Sequence, residues 1–383
     1  MTEIATPPKF VPGLEDVPIA ESSVCFIDGD KGVLQYRGYP VEVLAEHTTF
    51  EETSFLLIKG HLPNLQELEL FNKDLMSHRK LKHQIIDLLK CLPETGHPMH
   101  ALASGVAALG MFYPGNHVAD AEGRYFAVIR VLAKIPTIVA AFHRLRHGDR
   151  AVEPRDDLGH AANFLYMLTE KEPNPIAAKI LDVCLILHAE HSMNASTFAA
   201  RVTASTLADP FQVIASAVGA LSGPLHGGAN EEVLDMLTKI GSVDNAKGYV
   251  EDMVRSKKKI SGFGHRVYKV KDPRAPVLQK LAVDLFKQAG HTPLYDIACE
   301  VEKFATSHLG SKGVYPNVDF YSGIVYERLG IPRDLFTAIF GIARAAGWLA
   351  HFEEQTQHNR IYRPDQIYTG KLNQPFVPID KRS

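Results

Sequence analysis

The sequence predicts a mainly α-helical fold with two lobes, and three observations support this prediction. From about residue 41 onward, apolar residues recur at intervals of three and four, which is the period of an α-helix. Glycine and proline separate the helical segments, and no run of alternating strands lies between them. At 383 residues the chain is also longer than one compact core usually is, so two lobes are expected.

The first 40 residues have a different pattern from the rest of the chain. They contain several prolines and glycines, with short apolar alternation at residues 23–27 and 32–36. We therefore expect minor short strands or extended arms near the N-terminus. The clearest helical segments follow at residues 50–58, 64–90, 99–111, 125–145, 209–221 and 334–351.

A change of composition at residues 222–228 indicates where the lobes divide. A helical stretch stops there at a turn rich in glycine, and the chain stays more charged and more interrupted until about residue 330. The apolar helical pattern then returns. The segment between these two points is therefore expected to form a second lobe, connected to the first lobe once at its start and once at its end. Two such crossings predict a hinge.

The overall charge and the cysteines exclude several classes of protein. The 41 basic and 44 acidic residues nearly balance, which argues against nucleic-acid binding. The four cysteines lie far apart and form no CxxC pair, so neither a zinc knuckle nor a thioredoxin-like redox site is expected. We see no secretion signal and no apolar run long enough to cross a membrane. These features favour a cytoplasmic protein in a reducing compartment.

The segment 225–232 contains a histidine, His226, just before Gly227, Gly228 and the start of a new helix. The glycines allow the backbone to approach a ligand closely. The helix N-terminus disfavours a protonated imidazole, so we expect a neutral hydrogen-bond donor. The alternative is a histidine that only ends a turn.

The segment 261–274 surrounds a flexible turn with positive charge. Gly262 and Gly264 precede His265, and lysines and arginines flank them on both sides. Phosphate binding is the natural use of such a segment, and a solvated basic loop is the alternative. The glycines are too closely spaced for the dinucleotide-binding fingerprint, and the chain has no phosphate-loop motif.

Two further charged residues, Asp319 and Arg344, are candidates for the site. Asp319 lies at or near the start of a helix, where the helix dipole would keep its carboxylate ionised and able to act as a base, or where it is only a favourable charge. Arg344 lies in a helix that is apolar on nearly every side. Its guanidinium needs an anionic partner, either a protein carboxylate or the carboxylate of a bound ligand.

A pair of histidines, His188 and His191, lies one turn apart on one helix face. Histidines at this spacing can bind a metal, but no HExxH motif or nearby carboxylate completes a set of ligands. We expect the pair to hydrogen bond to a ligand or to the core.

Together these segments resemble the citrate synthase family. Residues 262–274 match the family's signature throughout, and residues 187–191, 223–230 and 317–319 fall in the family's order and spacing. The resemblance implies an almost wholly α-helical, two-lobed fold and a homodimer, with association into a larger homo-oligomer left open. It also implies two domains, a large one from residues 1–221 and 328–383 and a small one from residues 222–327.

The resemblance also implies an activity. Such a transferase condenses acetyl-CoA with oxaloacetate and hydrolyses citryl-CoA to citrate and CoA, the entry step of the tricarboxylic acid cycle. Asp319 would take a proton from the acetyl methyl group while His226 donates a hydrogen bond to the thioester oxygen. His265 would then protonate the ketone oxygen of oxaloacetate. Acetyl-CoA is a substrate here, and we expect no cofactor and no metal.

Binding residues follow from the same resemblance. Oxaloacetate would be held by His188, His191, Arg274, Arg344 and Arg363 of the partner subunit. CoA would lie along Lys259, Ile260, Gly262, Phe263, Gly264, Arg266, Lys269 and Asn317.

Two other functions stay open. A 2-methylcitrate synthase would use the same residues with propionyl-CoA, and the size of the pocket near the acyl methyl group would distinguish it. A catalytically inactive helical binding or scaffold protein of the same fold belongs to a different class. The complete set of histidines, aspartate and arginines argues against the inactive protein.

Overall fold

Helices form most of the structure. The computed structural model describes residues 10–115, 118–289 and 292–382, of which residues 284–289 are described by their backbone alone. Within these residues the chain forms sixteen α-helices and three short strands. The prediction of a mainly α-helical fold with minor strands near the N-terminus is confirmed.

The strands and the first eight helices come from the N-terminal half of the chain. The strands are β1 (Cys25–Asp28), β2 (Val33–Tyr36) and β3 (Tyr39–Pro40). The helices are α1 (Val41–His47), α2 (Phe50–Lys59), α3 (Leu65–His78), α4 (His83–Lys90), α5 (Pro98–Leu109), α6 (Ala121–Leu145), α7 (His160–Thr169) and α8 (Pro175–His188).

The remaining helices follow with short connections. They are α9 (Ala195–Ser205), α10 (Pro210–Leu221), α11 (Ala229–Ile240), α12 (Val243–Arg255), α13 (Arg274–Ala289), α14 (Pro293–Leu309), α15 (Asp319–Arg328) and α16 (Phe336–Gln357).

Local sequence explains where α2 and α3 begin. The side chain of Thr49 accepts a hydrogen bond from the backbone N–H of Glu52, and the carboxylate of Glu52 accepts one from the backbone N–H of Thr49. Asn64 and Glu67 form the same reciprocal pair at the start of α3. Each pair satisfies N–H groups that the first turn of a helix leaves without a partner.

The three strands form one small antiparallel sheet in the order β1-β2-β3. Across β1 and β2, Cys25 pairs with Tyr36 and Asp28 pairs with Val33. We call β1, β2 and the turn between them, residues 25–36, the N-terminal hairpin. Its position agrees with the predicted short strands.

Helix α16 lies at the centre of the larger group of helices, where it contacts α2, α6, α8, α9 and α10. Helices α11 to α15 form a second group, in which α12 packs on α14, and both α11 and α13 pack on α15. This second group falls almost wholly within residues 222–327. The domain boundaries themselves stay a prediction.

Two segments, α6 and Arg333–Gln357, are long and apolar enough to cross a membrane by length and composition. Their most apolar stretches are 83% and 94% buried inside the protein, which is the situation of a core helix. The expectation that no segment would reach this length and hydropathy was wrong, because a long core helix has the same apolar composition as a membrane span.

Helix α16 approaches the residues after α8 so closely that only glycine fits at position 347. The backbone N–H of Gly347 donates to the carbonyl oxygen of Ala189 at 3.2 Å. A Cβ atom on Gly347 would lie 2.5 Å from that oxygen and would overlap Oε2 of Glu190. The position of α16 against the residues between His188 and His191 therefore depends on this glycine.

Replacing this glycine tests the close approach. Gly347→Ala is expected to lower the free energy of unfolding by about 1–3 kcal/mol, because the added methyl group forces two packed backbones apart. Gly219→Ala in α10 is the matched control, since a Cβ there would meet no atom within 4 Å. That control should be neutral or stabilising by about 1 kcal/mol. Urea-induced unfolding followed by circular dichroism measures both, and equal midpoints would contradict the close approach.

Candidate active site

Two loops that lie far apart in the sequence are joined by hydrogen bonds. The backbone N–H of Asn317 donates to the carbonyl oxygen of Gly262 at 2.9 Å. The side-chain amide of Asn317 donates to the carbonyl oxygen of Gly264 at 3.0 Å. His265 follows the first loop and Asp319 follows Asn317, so these bonds hold the loops of the predicted acid and the predicted base together.

Packing explains why Gly262 is a glycine. Its φ angle is 77°, which side chains rarely adopt. A Cβ atom would also lie 2.7 Å from Cγ2 of Val233 and 2.9 Å from Cδ2 of Phe320. The glycine therefore allows the loop to lie against α11 and α15, whereas its predicted contact with CoA stays a prediction.

The first turn of α9 holds the imidazole of His226. Nε2 of His226 accepts a hydrogen bond from the backbone N–H of Ser196 at 3.3 Å and lies 2.8 Å from the Ser196 hydroxyl. The same hydroxyl accepts a hydrogen bond from the indole N–H of Trp348 at 3.2 Å. Because a backbone N–H can only donate, Nε2 is unprotonated and the neutral ring carries its proton on Nδ1.

Burial keeps His226 neutral at pH 7. Together with the positive charge of Arg344, it lowers the pKa of His226 to about 4. The neutral ring is as predicted, but its cause differs. The helix N-terminus that contacts the ring belongs to α9 and not to α11, which follows His226 in the sequence.

The loop around His265 fixes that ring in the opposite tautomer. Nδ1 of His265 accepts hydrogen bonds from the backbone N–H groups of Val267 at 3.0 Å and Tyr268 at 3.3 Å. The proton of the neutral ring therefore lies on Nε2. Burial and the charge of Arg274 lower the pKa of His265 to about 4. His265 is thus a neutral donor at physiological pH.

Three rings lie against one another beside this loop. The centroid of His265 lies 5.0 Å from that of His191 and 4.8 Å from that of Tyr268. Nε2 of His191 lies 3.1 Å from the Tyr268 hydroxyl. Burial, with the charge of Arg274, lowers the pKa of His191 well below its usual value. His191 is therefore also uncharged.

Asp319 begins α15, as predicted, but burial governs its ionisation. Burial raises the pKa of Asp319 from 3.8 to about 6, and the charges of Arg274 and Arg344 oppose only part of this rise. The predicted ionised base is compatible with this value, and the contribution of the helix N-terminus stays a prediction. A carboxylate with this pKa is still mostly ionised at pH 7 and is a stronger base than an ordinary aspartate.

Arg274 has a protein carboxylate as its partner. Its Nε lies 3.0 Å from Oδ1 of Asp272, and its Nη2 lies 2.7 Å from Oδ2, with both side chains buried. Burial alone would raise the pKa of Asp272, but the charge and hydrogen bonds of Arg274 outweigh it and lower the pKa. Substrate binding by Arg274, which stays a prediction, would use Nη1, the nitrogen that Asp272 does not engage.

Arg344 is buried in α16 and forms no ion pair with the part of the chain that the structure describes. Its Nε donates to the carbonyl oxygen of His188 at 2.8 Å, and its guanidinium carbon lies 4.7 Å from the centre of the Phe340 ring. Among the described residues no carboxylate oxygen lies within 4.0 Å of its nitrogens, and Glu190 acts on it only from farther away. Burial lowers the pKa of Arg344. Of the two predicted partners, this geometry favours a ligand carboxylate.

The charge of Arg344 acts on His226, on His188, on His191 and on Asp319. These groups therefore belong to one site. The site combines a carboxylate base, two neutral donors of fixed tautomer and a buried cation. Such a set can remove a proton beside a carbonyl group and polarise a second carbonyl in an anionic substrate.

Comparison with known proteins decides the family. The family model described as "Citrate synthase, C-terminal domain" matches residues 13–365, which is most of the chain. The chain belongs to the citrate synthase family. A citrate synthase of Synechocystis sp. is 58% identical over 373 residues, which cover 97% of this chain and 94% of the relative.

Solved structures of citrate synthases have the same fold. The enzyme from Pyrobaculum aerophilum superimposes with a TM-score of 0.92 at 42% identity, and the match covers 97% of this chain and 95% of that one. The enzyme from Thermoplasma acidophilum, in a ternary complex with carboxymethyl coenzyme A and oxaloacetate, gives a TM-score of 0.89 at 32% identity over 98% and 100% of the two chains.

His188 is wholly buried behind the site. Its Nδ1 donates to the carbonyl oxygen of Cys184 at 2.7 Å, and burial lowers its pKa to about 3. Nε2 of His188 has no partner among the described residues. This unpaired nitrogen is compatible with the predicted contact to substrate, which stays a prediction.

The predicted CoA segment contains both buried and exposed side chains. Ile260 is buried, and the ring of Phe263 lies edge-on to Phe320 with centroids 4.9 Å apart. The basic side chains of the segment are exposed, as contact with CoA phosphates would require. They are Lys259, Arg266 and Lys269.

Arg363 lies on the exposed C-terminal tail. Its side chain is 80% exposed and lies 3.8 Å from the carboxylate of Asp365. The structure contains one chain, so the entry of Arg363 into the site of a partner subunit stays a prediction.

The sequence did not reveal the residues that hold the site in place. Ser196 and Trp348 support His226 from other helices, and no sequence spacing links them to it. Asp272 lies inside the signature and Glu190 lies in the histidine motif, so both could have been noticed. Glu190 lies between His188 and His191 in the sequence, and its Oε1 accepts a hydrogen bond from a third histidine, His351, at 3.1 Å. Among the described residues no group of three or more histidine, cysteine or acidic side chains is placed to hold a metal.

The raised pKa of Asp319 predicts that its carboxylate costs stability at neutral pH. The folded protein holds this proton up to about pH 6 and the unfolded chain only to about 3.8, so the folded state loses stability as the pH rises between these values. Asp319→Asn should therefore increase the free energy of unfolding at pH 8 by up to about 2 kcal/mol, with a smaller gain at pH 5.

Thermal unfolding of the wild type and the variant at pH 5 and pH 8 measures this effect. Asp244→Asn is the control, because Asp244 is exposed on α12 and should give no gain that depends on pH. A variant that is less stable than the wild type at pH 8 would contradict the burial of an ionised Asp319.

Proposed function

We propose that this chain condenses acetyl-CoA with oxaloacetate and hydrolyses citryl-CoA to citrate and CoA. Several relatives named citrate synthase support this activity, one of them 58% identical over 97% of the chain. The observation that carries the proposal is the buried cation of Arg344, which forms no ion pair with the described residues and whose charge acts on both His226 and Asp319. Hydrogen bonds of Asn317 hold the loop of His265 beside that of Asp319.

The first step is removal of a proton from the acetyl methyl group. Asp319 takes this proton, because burial has raised its pKa while leaving it mostly ionised at pH 7. His226 donates its Nδ1–H to the thioester oxygen, since its Nε2 is occupied by Ser196. The enol forms without a full negative charge on oxygen.

The second step joins the two substrates. The enol carbon attacks the ketone carbon of oxaloacetate, the ketone oxygen takes a proton from Nε2 of His265, and the enol proton returns to Nδ1 of His226 as the thioester carbonyl forms again. The product is citryl-CoA. Water then attacks its thioester carbon and gives a proton back to His265. The C–S bond breaks, the CoA thiolate takes the proton held by Asp319, the new carboxylic acid loses its proton to solvent, and citrate and the CoA thiol leave. Closure of the lobes around the hinge would exclude other water from the enol.

Charge governs the binding of oxaloacetate. Arg344 and Nη1 of Arg274 would hold its carboxylates, together with Arg363 of the partner subunit. His191 and His188 would orient the substrate from the other side. The exposed basic residues after α12 would contact CoA.

Assembly, location and cofactor use rest on the same family membership. We infer a homodimer, because the resemblance to the family implies that Arg363, which lies on the exposed tail, completes the site of a partner subunit. We also infer a cytoplasmic enzyme that needs no cofactor beyond its two substrates, does not bind nucleic acid and does not insert into a membrane.

Release of free thiol from an acyl-CoA tests the activity. Thiol should appear from acetyl-CoA only when oxaloacetate is present, and propionyl-CoA should react more slowly. Asp319→Asn should lose at least about a hundredfold in turnover while still binding oxaloacetate, because only the base is removed. Catalytic amounts of enzyme keep the signal of the exposed Cys91 thiol small.

The same assay separates the alternatives. Faster turnover of propionyl-CoA would assign the chain as a 2-methylcitrate synthase. Oxaloacetate binding without thiol release from either acyl-CoA would assign it as an inactive protein of the same fold. Full turnover by Asp319→Asn would remove Asp319 from the role of base.

A further inference from the structure

The N-terminal hairpin contacts both segments that are proposed to bind oxaloacetate, although it contains none of the motifs discussed above. One end of the hairpin lies against the segment from His188, the last residue of α8, to His191. The turn lies against the loop between His265 and Arg274. Neither contact follows from the helical pattern of the chain.

The first contact is made by the hydroxyl group of Tyr36, which is wholly buried. It lies 2.9 Å from the carbonyl oxygen of Glu190 and 3.2 Å from that of Ile186, and it accepts a hydrogen bond from the backbone N–H of Glu190 at 3.3 Å. The last carbonyl groups of a helix have no partners within the helix. The hydroxyl group of Tyr36 supplies such a partner at the end of α8. It thereby fixes the path of the chain between His188 and His191.

The second contact is made by the backbone of the turn. The carbonyl oxygen of Gly29 accepts a hydrogen bond from the backbone N–H of Lys269 at 2.9 Å. A Cβ atom on Gly29 would overlap the carbonyl oxygen of Val267 and lie 2.8 Å from its carbonyl carbon. The φ angle of Gly29 lies outside the left-handed region, so space and not conformation requires glycine here. Gly32 fits as closely, because its Cβ would lie 2.8 Å from Cγ2 of Val270.

The two contacts are rigidly connected. Tyr36 pairs with Cys25 at one end of the two-stranded ladder, and Val33 pairs with Asp28 next to the turn. A shift of the turn would therefore also shift the hydroxyl group of Tyr36 at the other end of the ladder. Because the hairpin contacts both segments, it limits the distance between them.

We propose that the N-terminal hairpin positions the oxaloacetate site, with Tyr36 holding the segment 188–191 and Gly29 holding the segment 265–271. This inference rests on the proposed function, because it assigns oxaloacetate to those segments. Tyr36 and Gly29 touch no reacting atom and are positioning residues. Tyr36 acts on the affinity for oxaloacetate, whereas Gly29 acts on the affinities for both substrates, because the segment 265–271 also contains Arg266 and Lys269, which are proposed to contact CoA.

Two substitutions test the two contacts separately. Gly29→Ala inserts a methyl group between the turn and Val267, and Tyr36→Phe removes only the hydroxyl group. Each should raise the KM for oxaloacetate by about tenfold, the change that loss of one buried hydrogen bond or close contact produces. Tyr36→Phe should change the KM for acetyl-CoA by less than about twofold, whereas Gly29→Ala should raise that KM as well, because its segment contains Arg266 and Lys269. Calorimetric titration with oxaloacetate should show the same loss of affinity.

Matched controls separate positioning from general stability. Gly38→Ala strains the turn after β2, where φ is 86°, but meets no atom within 4 Å. Gly248→Ala adds a methyl group to open space on α12. Tyr125→Phe removes a hydroxyl group that donates to Asp74 at 2.8 Å, far from the site in sequence. All three should keep the wild-type KM for oxaloacetate, whatever they do to the melting temperature.

The results can be distinguished from failure of the proposed function. A wild type without turnover of acetyl-CoA and oxaloacetate counts against the function, and calorimetry with oxaloacetate then still tests the hairpin. An active wild type in which Gly29→Ala and Tyr36→Phe lower the melting temperature but keep the KM for oxaloacetate would overturn the positioning role. If Gly29→Ala does not fold, Tyr36→Phe alone decides by the same criterion.

Discussion

The buried positive charge of Arg344 is the constraint on which the rest of the site depends. A guanidinium inside an apolar helix costs free energy unless an anion balances it. Its described neighbours are a carbonyl oxygen, the face of Phe340 and the more distant Glu190, none of which forms an ion pair with it. Burial and this charge together keep His226 neutral, and the same charge limits the rise in the pKa of Asp319. A dicarboxylate would supply the missing anion, and by neutralising the cation it would make Asp319 a stronger base when the second substrate is present.

Backbone amides fix the tautomers of His226 and His265, the two histidines proposed to act as donors. Ser196 donates to Nε2 of His226, whereas Val267 and Tyr268 donate to Nδ1 of His265. A backbone N–H does not titrate, so these tautomers are insensitive to pH until the ring itself is protonated near pH 4. The two neutral rings consequently carry their protons on opposite nitrogens, His226 on Nδ1 and His265 on Nε2.

The helices and the motif residues could be predicted from the sequence because both depend on local patterns. The apolar period gave α2, α5, α6, α10 and α16, and the glycine-rich turns located His226 and His265. The supports of those residues could not be predicted, because they are contacts between elements far apart in the chain. Tyr36 lies 154 positions from Glu190, and Ser196 lies 30 from His226. The raised pKa of Asp319 could not be predicted for a related reason, since its burial depends on contacts that form only in the folded chain.

The most direct test of this account is the dissociation constant of oxaloacetate for Arg344→Lys, measured by calorimetry. Lysine keeps the charge but loses the fork that binds a carboxylate through two nitrogens. The dissociation constant should rise at least about tenfold, while the melting temperature without ligand should change little, because Arg344 forms no ion pair with the described residues. An unchanged dissociation constant together with a lower melting temperature would contradict it and would make Arg344 a structural residue.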